Sequence, residues 1–247
     1  MNPPRGPSAM HRLPSSPRGI LRVVFLLPLA ITGAAPAAEP AAADEAWAAT
    51  VERHAPTSPT VPRAEPLKLR AFSLATGYQH TVTPSVDKVL QIIGRTSGVF
   101  HADITRDIED LTADRLRSVD VLVLNNTCSV SPRRNLFLDV LETDARYTQL
   151  SAEERSARAA ELEKSLLDFV RGGKGLVAIH GAPVLLNNSP AFTDMIGGVF
   201  DYHPPCQEVT LRTVDPDHPL VAAFRGKEPL VHTDEPYCFK GPYLKRN

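Results

Sequence analysis

The chain has 247 residues, 43% apolar, 22% charged and 6% aromatic, enough for one large globular domain with a full core. The formal charge of −1 hides an uneven spread: residues 1–38 hold Arg5, Arg12, Arg18 and Arg22 and no acid, leaving 23 basic against 28 acidic residues beyond them. No basic patch remains that could neutralise a row of phosphates, which argues against nucleic acid as a partner.

Residues 1–38 read as a secretory signal. A basic stretch ending in Arg22 precedes the apolar run Val23–Ile31, and small residues follow from Gly33 to Ala38. Cleavage after Ala37 or Ala38 fits the small-x-small rule, and Met10 as the start would give a signal of usual length. An apolar run of about ten residues is too short to cross roughly 30 Å of hydrocarbon. The expectation is an exported protein, periplasmic or extracellular, with no stable membrane insertion once the signal is removed. No Cys lies near the cleavage site, so a lipoprotein is excluded. The three cysteines, Cys128, Cys206 and Cys238, allow one bridge, Cys206–Cys238, but no disulfide framework and no zinc cluster.

Residues 39–66 are rich in Ala and Pro and read as a linker, with Ala46–Arg53 able to form a short helix. From Leu67 strand and helix alternate. Leu67–Leu74 is a short apolar strand. Val86–Ile93 has helical periodicity behind Pro84. Val99–Ile104 predicts a second strand, Leu111–Leu116 a short helix, and Val119–Leu124 a strand buried on both faces. Ser151–Arg171 is the clearest helix: Ser151 and Glu154 form a capping box, an apolar stripe runs from Ala159 to Val170, and Gly172-Gly173 ends it. Gly175–Ile179 reads as another buried strand. Phe192–Ile196 predicts a short helix, and Glu208–Val214 a half-exposed strand. Such alternation predicts an α/β fold, a parallel sheet with helices on both faces. Ligands of these sheets sit beyond the carboxyl ends of the strands.

Three loops should therefore open onto one edge. After Leu74 comes Ala75–Thr81 with His80; after Leu124 come Asn125, Asn126 and Cys128; after Ile179 comes His180-Gly181-Ala182. Ala178–Ala182 has the small flanks of a nucleophile elbow, but the residue at its apex is His, which excludes Cys-dependent acyl transfer there. Histidine can act instead as base, acid or metal ligand. His203 lies in a further loop, His218 reads as a turn residue, and His232–Tyr237 sets Asp234 and Glu235 beside an imidazole. An acidic pair near imidazoles suits acid–base chemistry or a divalent metal.

These pieces together resemble the ThuA-like (trehalose-utilisation) family, a branch of the class I glutamine-amidotransferase-like, flavodoxin-like folds. The carrying motifs are Thr76–His80, Gly172–Ala182, Ile196–Phe200 with His203-Pro204, Asp217-His218-Pro219 and Asp234–Tyr237, in the family's order over residues 67–243. The resemblance implies a three-layer flavodoxin-like domain over 67–247 that acts on keto-sugars or glycosides. It implies that His80, His180 and Glu235 converge as catalytic residues, with a divalent metal such as zinc among them, and that the ligand is a small carbohydrate. Asn125, Asn126, His203 and Asp234 are the candidate ligand-binding residues. Family members usually continue past Asp-Glu-x-Tyr with further strands, so the resemblance also implies a C-terminal part missing here. Two readings follow: a hydrolase, lyase or isomerase on sugars, and a non-catalytic carbohydrate-binding or accessory module. Nothing in the sequence fixes an oligomeric state.

Overall fold

In this computed structural model the described residues are 45–227 and 229–245. The expected signal segment and residues 39–44 of the expected linker lie outside them. Within 45–66 the chain forms helix α1 (Glu45–His54) and then irregular backbone.

The core is a parallel sheet of β1 (Leu67–Phe72), β2 (Phe100–Thr105), β3 (Val121–Asn125) and β4 (Gly175–Ile179), in the order β2-β1-β3-β4. Between the strands lie α2 (Thr83–Ser97), α3 (Ala113–Leu116), α4 (Leu136–Thr143) and α5 (Ala152–Arg171). The period-2 alternation of each strand assigns its side chains to two layers. Phe72, Leu122 and Leu124 pack with α4 and α5, through Leu136, Phe137, Leu141, Leu162 and Leu166. Leu69, Ala71 and Val123 pack on the opposite face with Leu90 of α2. Helices thus cover both faces, as the sequence predicts.

Two local devices fix the frame. Asn135 caps α4 by accepting from Leu138 N, and Ser151 and Glu154 form the expected reciprocal capping box at α5. Gly98 takes φ 66° past the end of α2 and lets the chain turn directly into β2.

The expectation of a strand buried on both faces fails at β4. It is the edge of the described sheet, and Val177 is 47% exposed on the face that α2 covers only nearer β1. A run of Val, Leu and Ile reads as buried whether or not a neighbour covers it. Helix α4 is absent from the sequence reading: it spans only 8 residues, about two turns, too few for a helical period to stand out from a short apolar run.

Beyond α6 (Pro190–Ile196) the chain leaves the parallel pattern. β5 (Val199–Tyr202) pairs antiparallel with β8 (Cys238–Lys240), and β6 (Gln207–Leu211) with β7 (Leu230–Asp234). The strand expected over Glu208–Val214 is therefore one arm of a hairpin outside the main sheet. Cys206 and Cys238 are unbridged, so the expected disulfide is not formed. Cys238 stands opposite Tyr202 in the β5–β8 pair. Among the described residues no helix is long and apolar enough to cross a membrane.

Candidate functional site

The strand order reverses direction at β1, with β2 on one side and β3 on the other. In doubly wound sheets the crevice at such a reversal is the ligand site. Here the loops after β1 and β3 are stitched together across it. Thr76 N and Gly77 N both donate to Cys128 O at 2.9 Å. A Cβ on Gly77 would stand 2.4 Å from Ser129 O, so only glycine permits this approach. Buried Asp139 gathers the same loops: it accepts from Thr76 Oγ1 at 2.7 Å, Val130 N at 2.8 Å and Arg133 Nη2 at 2.8 Å.

The turn after β4 is the elbow-like one. His180 has φ 44°, a left-handed conformation that a side chain tolerates only when its surroundings impose it. The next residue is held tightly: a Cβ on Gly181 would stand 2.6 Å from Cys128 Sγ and 3.3 Å from His80 Nε2. Below lies an amide network. Asn126 Nδ2 donates to Asn125 Oδ1 at 2.8 Å, and Asn125 Nδ2 donates to Asp87 Oδ1 at 2.8 Å and to Thr83 O at 3.1 Å. Asn125 and Asn126 are 0% and 1% exposed. Their amides are engaged inside the protein, so they support the loops rather than reach a ligand.

Above this floor is a ring-lined cavity of about 230 Å³. Its walls include Tyr78, His80, Arg134, His203, Glu235 and Tyr237. Tyr78 and His80 meet edge to face at 4.8 Å, and His80 and His180 do so at 4.5 Å. His180 packs on Tyr237 at 4.6 Å, with the Tyr237 hydroxyl 3.3 Å from its Nε2. Phe200 meets Tyr237 at 4.6 Å, and His203 lies nearly parallel to it at 5.9 Å. The structure thus brings His80, Glu235 and His203 to one cavity, whereas His180 is exposed and outside its lining, in ring contact with His80 and Tyr237. Asp234 lies outside, exposed at the end of β7, where Oδ1 accepts from Glu235 N at 2.8 Å. His218 is a turn residue, its Nδ1 accepting from Leu220 N at 3.2 Å.

Protonation follows from burial and neighbours. His80 is held below its ordinary 6.5, first by desolvation, then by the nearby His180. Glu235 opposes this and His203 adds slightly to it. Nε2 of His80 is buried with no hydrogen-bond partner. Burial also holds the Tyr237 phenol well above its ordinary 10, with further contributions from Cys128 and Glu235, so it stays a donor. The Cys128 thiol is pushed up to about 11 by burial, which leaves it protonated and unreactive. His203 Nδ1 lies 2.9 Å from Pro204 O; a carbonyl can only accept, so this nitrogen carries a proton.

A metal does not fit this arrangement. No trio of His, Cys, Asp or Glu among the described residues is placed to hold one. The two imidazoles meet at 79°, and His180 Nε2 faces a phenol rather than a carboxylate. The zinc site implied by the family resemblance is not assembled here.

Sequence reasoning passed over Tyr237, Arg134 and Tyr78. Tyr237 stood in the Asp234–Tyr237 motif, two residues past Glu235, and that adjacency was the available signal. Arg134 follows a second arginine in a polar loop and carried none.

The sheet order, the crossovers and a crevice at the reversal point define a flavodoxin-like α/β protein. Comparison carries this one step further. The family model for trehalose utilisation, ThuA, matches residues 69–245, and the chain belongs to that family. A solved structure described as a ThuA-like protein from Bacteroides uniformis is similar at 18% identity, with a TM-score of 0.50. The similarity covers 76% of this chain and 67% of that one, and it shows the shared fold. No curated protein matches the chain.

Proposed function

We propose that this protein binds a small carbohydrate in the ring-lined cavity and carries out acid–base chemistry on it. The observation that supports the reading is the meeting of His80, Tyr237 and Glu235 on one cavity, with the exposed His180 in ring contact with two of them. Aromatic walls suit the apolar faces of a sugar ring, and a few polar groups suit its hydroxyls. The volume, about 230 Å³, is that of a single ring rather than an oligosaccharide.

A keto-sugar makes chemical sense of the donors and acceptors. The protonated Tyr237 phenol donates to the carbonyl oxygen. Glu235 or neutral His80 removes a proton from the adjacent carbon, giving an enediol whose collapse yields an isomer or an elimination product. His180 orients Tyr237 through its ring contact and Nε2. No step is routed through a metal. Export of the chain, read from residues 1–38, belongs to the same proposal.

The test is turnover of keto-sugars and glycosides by the wild-type protein and by His180→Ala. Loss of turnover with an unchanged melting temperature is the expected result. Retained turnover in that variant sinks the assignment. Sugar binding with no turnover in either protein would make this an accessory binding module instead.

A further inference from the structure

Arg133 and Arg134 are neighbours with opposite fates. Arg133 is saturated: it bonds Asp139 at 2.8 Å and both oxygens of Glu142 at 2.8 Å. Arg134 is half-buried and forms part of the cavity wall. It donates once to protein, from Nη1 to Ser129 O at 2.8 Å, and that bond fixes its direction. Among the described residues no carboxylate lies within 4.0 Å of its guanidinium. Its backbone takes φ 59°, a left-handed conformation that a long side chain adopts only under constraint. A half-buried guanidinium with one neutral acceptor keeps most of its planar fork of donors without a protein partner, on a residue that lines the cavity. Such a group matches a carboxylate in two parallel hydrogen bonds.

We infer that the ligand is a sugar acid, a single carbohydrate ring or chain bearing one carboxylate that Arg134 holds. This rests on the carbohydrate reading above. Charge favours a carboxylate over a phosphate. The cavity holds one guanidinium and one carboxylate, Glu235, so a bound monoanion leaves one net negative charge there and a dianion leaves two. A dianionic phosphate would bring a second negative charge towards Glu235 with no further cation to meet it. The ring-lined walls then take the sugar, and Glu235 accepts from its hydroxyls.

The probes are D-glucuronate, D-glucose and D-glucose 6-phosphate, titrated calorimetrically into the wild-type protein, Arg134→Met and Arg134→Lys. The expected result is glucuronate binding at least about tenfold more tightly than glucose, the scale of one charge-assisted pair. That preference vanishes in Arg134→Met and is partly kept in Arg134→Lys. A melting temperature like that of the wild-type protein shows that each variant is folded. Equal binding of glucose and glucuronate by the wild-type protein overturns the sugar acid and leaves the carbohydrate site standing. Tighter binding of the phosphate than of glucuronate overturns the carboxylate. If none of the three binds, both the sugar acid and the carbohydrate site fall.

Discussion

The carboxylate of Asp87, on the first turns of α2, accepts from the side-chain amide of Asn125 at the end of β3, 2.8 Å away. Ser73 Oγ donates to the same oxygen at 2.5 Å, and Arg106 Nη2 reaches the other oxygen at 2.9 Å. This buried polar knot ties the ends of β1 and β3 to α2, directly under the site. Asn125→Ala removes the amide and leaves a buried carboxylate short of a donor. The expected loss is about 1–3 kcal/mol of unfolding free energy, the cost of an unsatisfied buried polar group. Urea denaturation measures it, and a loss under about 0.5 kcal/mol would show that the knot is dispensable.

Gly181→Ala forces a methyl group against Cys128 Sγ, which would lie 2.6 Å away. Overpacking of this kind costs about 1–3 kcal/mol. Cys128→Ala in the Gly181→Ala background should recover part of the loss, because the clashing atom is gone. Thermal melts of the single and double variants form a cycle. Simple additivity would show that the contact with sulfur is not the reason for glycine.

Stability should fall on acidification because of His80. Its folded pKa lies below the ordinary 6.5, so the unfolded chain binds a proton more readily. Between the folded value and 6.5 the unfolded state holds more protons, and stability rises with pH. The contribution is complete above 6.5 and is lost as pH falls through that window. His80→Gln, which does not titrate, should give a melting temperature less dependent on pH just below 6.5. Equal slopes for the two proteins would argue against a buried neutral imidazole.

Tyr237→Phe keeps the ring against His180, Phe200 and His203 and deletes only the donor. With the proposed chemistry, sugar affinity should stay within about threefold while kcat falls about 100-fold, the usual scale for one general acid. Steady-state kinetics separates the two. A rise in KM with kcat unchanged would make the hydroxyl a binding group only.

Much of the parallel sheet was legible because its signals are local. Ser151 and Glu154 announce a helix start within four residues, and Val119–Leu124 reads as a strand from composition alone. The α4 segment was not, since 8 residues are too few to tell a helical period from a short apolar run. Nor was the exposure of Val177, which depends on neighbours distant in sequence. At the site, His80 and Glu235 were named from motif order, but Asn125 and Asn126 were taken for ligand contacts. Polar residues at a strand end look alike whether they face a cavity or a buried carboxylate, and only packing distinguishes them. His180 drew attention by its elbow-like flanks; in space Tyr237 has the more central place.

The cavity walls come from two parts of the chain with separate strand pairing. Tyr78, His80 and Arg134 are held by the parallel sheet and its loops, whereas His203, Glu235 and Tyr237 follow or precede the strands of the two small antiparallel pairs. A melting curve and a ligand titration therefore interrogate different residues. The first is dominated by the core of 67–199, where the fully buried large side chains lie. The second senses the segment from Phe200 to Tyr237 as well. Variants in that later segment can abolish recognition while the protein melts like the parent, so stability alone is a poor screen for working molecules of this kind.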